Sequence, residues 1–162
     1  MKRHGYSLLE VIAVLLLIAV LALSAAVSLI PLSEGLVQAR NNVNAAQKAA
    51  LAMSRLSAEF TTITNVVGSG SGWLECDTLD AAGVARSRTV RWDGVPGQPL
   101  LLNDVPLSDD VQFFALRYLS RSGGAPVASW SIDHPVIEVV LQSRSGGTTY
   151  TNRIHPRNTG GG

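Results

Sequence analysis

One cysteine in 162 residues, Cys76, rules out an intrachain disulfide. An extracytoplasmic domain in this chain must therefore hold together by core packing alone. The lone thiol lies in a strand pattern between Glu75 and Asp77, which discourage its thiolate, and it reads as a core residue. Charge is also scarce. Lys and Arg number 13 against 12 Asp and Glu, a formal +1, with no basic stripe of the kind that phosphate binding requires. Nucleic acid is not an expected partner. Only three histidines occur, His4, His134 and His155. The last two each precede a proline, and only Asp133 stands beside either of them. Adjacent strand residues point to opposite faces, so neither zinc binding nor His-based catalysis is expected. The glycine run GSGSG at 68–72 matches neither GxGxxG nor GxSxG, and no lysine follows it as in a phosphate loop.

Apolar surface is abundant, and much of it lies at the start. Residues 11–30 read VIAVLLLIAVLALSAAVSLI, broken only by Ser24 and Ser28. At about 1.5 Å rise per residue this spans roughly 30 Å, the hydrocarbon thickness of a bilayer. Lys2 and Arg3 precede the run and the next basic residue is Arg40. That asymmetry places the amino terminus in the cytoplasm and the remainder outside it. Beyond Pro31 the composition is that of an ordinary soluble protein, with room for one modest domain. A secretory signal peptide fits the basic start, with small residues at Ser24, Ala25 and Ala26 for a peptidase. Its apolar region, however, is normally only about 7–15 residues. A plain single-pass anchor fits the length. Neither gives a purpose to Glu10, at the front edge of the run; the helix macrodipole favours it there by about 0.3–1 kcal/mol without requiring it.

The stretch Gly5-Tyr6-Ser7-Leu8-Leu9-Glu10-Val11 accounts for these features together. A short basic leader is followed by a glycine, an aromatic, a polar residue, two apolar residues and a glutamate, then a long apolar helix. This resembles the prepilin signal of type IV pilins and of the pseudopilins of type II secretion. The resemblance implies cleavage between Gly5 and Tyr6 by a prepilin peptidase, methylation of the new amine on Tyr6, and Glu10 as the fifth residue of the mature chain. Tyr stands where Phe is commoner, and Ser7 where Thr is. The implied partners are the prepilin peptidase, other pilins or pseudopilins of one filament, and an inner-membrane assembly platform. The implied location is the bacterial inner membrane, single-pass, with the carboxy-terminal domain in the periplasm, and then the filament. A carboxylate in apolar packing is costly unless paired. Pairing Glu10 with the Tyr6 amine of a neighbouring subunit would set the axial stagger between helices, and buried ion pairs specify register better than they add stability. Loss of Lys2 and Arg3 with the leader takes the basic count from 13 to 11, against 12 acidic residues.

Pro31 closes the apolar run; it lacks a backbone N–H, and a bend near Ile30–Pro31 is expected. From about Gln38 the pattern turns amphipathic. Ala46, Ala49, Met53, Leu56, Phe60, Ile63 and Val67 recur at spacings of three and four, one face of a helix. Arg40, Lys48, Arg55 and Glu59 fall off that face, toward solvent. Strand patterns come next at 73–78 and 87–92, a hairpin in outline, then at 99–103, 111–119, 135–143 and 148–154. In the fourth, VQFFALRYL, one face carries Val111, Phe113, Ala115, Arg117 and Leu119, and the other Gln112, Phe114, Leu116 and Tyr118. Ser145-Gly146-Gly147 makes the last hairpin turn. Trp73, Trp92 and Trp130 are expected in the core or at an interface between subunits.

The expected organisation is a leader over 1–5, a transmembrane and filament-core helix over 6–30, an amphipathic helix over 31–67 and a Gly/Ser loop over 68–72. A periplasmic antiparallel β domain spans 73–158, with a flexible tail over 159–162. The fold class is α+β, a long stalk helix packed on an antiparallel sheet, the layout the pilin-like resemblance also implies. LSDDVQFFALRYL, Trp130, PVIEVVLQS and RIHPRN are similar to the larger minor subunits of such filaments. Asp104, Asp109 and Asp110 are weak calcium candidates, since some pseudopilins bind calcium, although turn and cap roles suit them as well. No cofactor and no catalytic activity are expected. The chain reads as a structural minor pilin or pseudopilin. The alternative is a membrane-anchored or secreted domain that binds a ligand or acts enzymatically, with residues 1–30 as an ordinary anchor or signal.

Overall fold

The structure, a computed structural model, describes residues 8–80 and 82–157, for 25–33 the backbone alone. One helix, α1 (Leu8–Thr61), precedes eight strands: β1 (Ile63–Ser69), β2 (Trp73–Leu79), β3 (Ala85–Arg91), β4 (Leu100–Leu102), β5 (Val105–Ser108), β6 (Val111–Leu119), β7 (Val136–Ser143) and β8 (Thr149–Ile154). The chain divides into two compact units, one ending at Arg40 and the other starting at Asn41. The helical backbone continues through Pro31, where the sequence predicts a bend. A proline removes one ladder bond, and the remaining turns on each side can keep their helical dihedral angles.

Within the second unit, α1 stops at Thr61, short of the glycine run. The expected helix over 31–67 is thus too long, and Ile63 and Val67, placed on its stripe, belong to β1. The reason is local. Thr61-Thr62-Ile63-Thr64 and Val66-Val67 make a β-branched run, which favours the extended backbone. The last helical carbonyls find their donors nearby. Thr61 Oγ1 donates to Ser57 O at 2.6 Å and Thr62 Oγ1 to Glu59 O at 2.9 Å. Arg157 N–H reaches back to Thr61 O at 3.1 Å. The β domain accordingly begins at Ile63, ten residues before the expected 73.

The α+β class holds, with two antiparallel sheets in place of one: β1-β2-β3-β4-β5 and β6-β7-β8, each in sequence order. The short strand β5 is an addition to the expected set. It pairs with β4 through Asn103 and Asp104, whose φ of 52° and 62° fit a two-residue type I′ turn. Loops of the larger sheet clip onto the edge of β6: Leu116 N–H donates to Ser71 O at 2.7 Å, and Gly97 N–H to Val111 O at 2.7 Å. A bulge between Val111 and Phe113 resets the alternation of β6, so Val111 joins Phe114, Leu116 and Tyr118 in the core while Phe113 is exposed.

A single core joins the second unit. Ala49, Ala52, Met53, Leu56 and Phe60 of α1 meet Leu74, Cys76 and Val90 of the larger sheet and Val111, Leu116, Ile137, Val139, Leu141 and Ile154 of the smaller one. The expected helix face is right from Ala49 to Phe60. Trp92 and Trp130 pack against this core, while Trp73 remains 42% exposed. Its ring lies so close over Gly68 and Gly70 that a Cβ there would approach it to 2.8 and 2.5 Å, which is why the β1–β2 hairpin carries glycines.

Candidate functional site

The amino-terminal helix is apolar all round. From Leu8 to Ser24 every described side chain is exposed, Leu8 and Leu9 at 80%. A lone helix has no face against which to bury such a surface, so it fits only apolar surroundings. Glu10 sits in the first turn of α1, where backbone N–H groups and the macrodipole favour a carboxylate. Ser24 Oγ donates to Leu21 O at 2.9 Å, so its hydroxyl is satisfied within the helix itself. Among the described residues no helix is long and apolar enough to cross a membrane. The expected span over 11–30 runs into residues whose side chains lie outside the described set, and so do Ala25 and Ala26. Gly5, Tyr6 and His4 likewise lie outside the described residues, as does the tail over 159–162.

The acidic candidates do not converge. Asp109 binds Lys48 Nζ at 2.7 Å, an exposed pair that lowers the carboxyl below its usual range and raises the ammonium, chiefly through that hydrogen bond. Burial works to raise the Asp110 carboxyl, but the Ser143 hydroxyl at 2.6 Å and the Ser145 N–H and hydroxyl outweigh it and hold it low. Asp104 is a turn residue between β4 and β5. Among the described residues no three His, Cys, Asp or Glu side chains come together in a way that could hold a metal ion. Asp109 and Asp110 are thus engaged by Lys48, Ser143 and Ser145, and Asp104 occupies a turn.

His134 Nδ1 lies 3.0 Å from Ser131 Oγ, within its own loop, and His155 is exposed. Cys76 is fully buried, and burial first, then the charges of Asp77 and Glu59, push its thiol up to about 12. A cleft of about 580 Å³ is lined by Ser71, Trp92, Asp93, Phe113, Arg117 and Pro126 among others. Both of its ionisable groups are already engaged, Asp93 by Arg91 at 3.5 Å and Arg117 by Glu138 at 3.6 Å.

Two buried carboxylates escape sequence reasoning. Glu59, expected in solvent, is only 9% exposed and binds Arg55 at 2.7 Å and Arg88 of β3 at 3.1 Å. Glu138, central in β7, is flanked by its cross-strand neighbours Arg117 and Arg153, the latter at 2.8 Å. A single acid inside PVIEVVLQS and a single base inside FFALRYL are the signals for the second pair.

The leader, the apolar helix and Glu10 at its head decide what the amino terminus is. Residues 1–26 match the family model for the prokaryotic N-terminal methylation motif. This is the prepilin motif of type IV pilins and pseudopilins. No curated protein and no solved structure matches the chain. The prepilin motif thus covers the leader and the first turns of α1, and it implies processing by a prepilin peptidase and filament partners of the pilin type.

Proposed function

We propose that the chain is a minor subunit of a type II secretion pseudopilus or a type IV pilus, and that its work is assembly, not catalysis. A prepilin peptidase removes residues 1–5 and methylates Tyr6. The subunit waits in the inner membrane with its β domain in the periplasm, and an assembly platform then feeds it into a filament or its tip. The observation that carries this reading is the register of the motif. Glu10 stands fifth after Gly5, at the head of a helix whose side chains from Val11 to Leu23 are apolar and exposed on all sides.

Glu10 has a defined task here. In the packed apolar helices of a filament, the Tyr6 amine of a neighbouring subunit supplies the opposite charge, and a misaligned helix leaves both charges in an apolar medium. That penalty selects one stagger. Glu10→Ala in the native host tests it. The variant is expected to lose residues 1–5 as the wild type does, yet to fall at least about tenfold in the sheared filament fraction, the effect of about 1.4 kcal/mol. Equal incorporation of Glu10→Ala and wild type would contradict the role.

A further inference from the structure

Strand β6 has one open rung on the edge away from β7. Along an antiparallel strand, residues alternate between bonding the neighbouring strand and turning their backbone groups to the other edge. On that other edge of β6, Val111 O accepts from Gly97 N–H at 2.7 Å and Leu116 N–H donates to Ser71 O at 2.7 Å. Tyr118 exchanges bonds with Val127 at 3.0 and 2.9 Å. Phe114 lies between these clips, and among the described residues nothing bonds its N–H or C=O from that side. Its ring is buried in the core, so the Phe114 backbone is what lines the cleft of about 580 Å³ beside β6. An aromatic pair and a guanidinium flank the rung. Phe113, 40% exposed, meets Trp92 edge to face at a centroid distance of 6.2 Å. Arg117, on the same outward face, sits 3.6 Å from Glu138 Oε2, an ion pair beyond hydrogen-bond length. Glu138 is held by Arg153 instead, whose Nε donates to Oε1 at 2.8 Å. The Arg117 side chain makes no hydrogen bond among the described residues, and its N–H donors stay open at the cleft.

We propose that this cleft captures the carboxyl terminus of an extended peptide lying parallel to β6. One peptide C=O accepts from Phe114 N–H, and the N–H two residues further on donates to Phe114 C=O. The chain then has to stop, because Ser71 already occupies the next rung, at Leu116. A terminal carboxylate at that point meets the Arg117 guanidinium, whose planar fork matches it in two charge-assisted bonds. The first of the three residues lays its side chain on Phe113 and Trp92. The middle one stands opposite Phe114, points toward the core side and has room only for a small side chain. Asp93, beside Trp92 at the other end of the cleft, repels a carboxylate there and so fixes the polarity of the bound chain. The inference goes beyond the filament role and does not depend on it.

The test uses the full chain in detergent micelles and the tripeptide Leu-Gly-Val, labelled with fluorescein at its amine, as the free acid and as the carboxy-terminal amide. Fluorescence anisotropy, corrected for empty micelles, should show the acid bound at least about tenfold tighter than the amide, the return from a charge-assisted pair. Arg117→Gln should bring the acid down to the affinity of the amide and leave the amide unchanged, a pattern that misfolding would not give. Arg117→Lys should recover part of the difference. Methylating the last backbone nitrogen of the peptide should weaken the acid by about tenfold, since it removes the donor to Phe114 C=O. Equal affinity of acid and amide, a preference that survives Arg117→Gln, an acid indifferent to backbone methylation, or no binding of the acid up to about 1 mM would each overturn the proposal. The same values are expected with residues 1–5 present or removed, so this result and the fate of the prepilin reading are separate.

Discussion

Glu59 and Asp110 show how much a side chain's role depends on what is folded against it. Glu59 lies off the apolar stripe by helical spacing, and nothing in its neighbourhood in sequence brings Arg88 near; the β3 strand does that from 29 residues away. Asp110 is one of three acids close in sequence, and its partners, Ser143 and Ser145, come from the end of β7 and the turn after it, 33 and 35 residues along the chain. Such pairings are non-local, and residue patterning along a chain does not carry them. Asp110 gives a prediction with a definite sign. Its folded pKa is depressed, so its contribution to stability is present above the unfolded value and is lost as pH falls through the folded one. Thermal melts should therefore show Asp110→Asn less stable than wild type near neutrality. The gap should close below about pH 4, the ordinary carboxylate range. A gap that stays constant down to about pH 2.5 would place the loss elsewhere than in the carboxylate.

The elements themselves are unequally legible. The apolar start of α1, the β2–β3 hairpin and the turn at Ser145-Gly146-Gly147 come from period and turn chemistry, and the structure has them where the patterns put them. The end of α1 does not, because Ile63 and Val67 continue the three-and-four spacing by coincidence while the β-branched run around them prefers a strand. On β6 the alternation fails at the bulge, which moves Val111 to the buried face. The helix and both sheets are held together through the stripe ending at Phe60, whose side chain is fully buried. Phe60→Ala should cost about 3–5 kcal/mol in denaturant unfolding, by lost burial plus the cavity left behind. A loss under about 1 kcal/mol would mean that this end of the helix does not anchor the domain.

For the whole molecule, the division of labour is between a helix that its own chain leaves apolar and exposed from Leu8 to Ser24 and a β domain with a complete core. The first is legible almost residue by residue, because the prepilin signal is a linear motif read by a peptidase and needs no tertiary partner. The second is legible as a class and not as a function, because two meanders of short strands carry no linear signature of what they touch. The central claim is accordingly about the amino terminus, and one measurement addresses it directly: the mass of the mature amino-terminal peptide, taken from membranes of the native organism. The account predicts a chain that begins with N-methylated Tyr6. A chain that begins near Ala26, or that still begins at Met1, would contradict it.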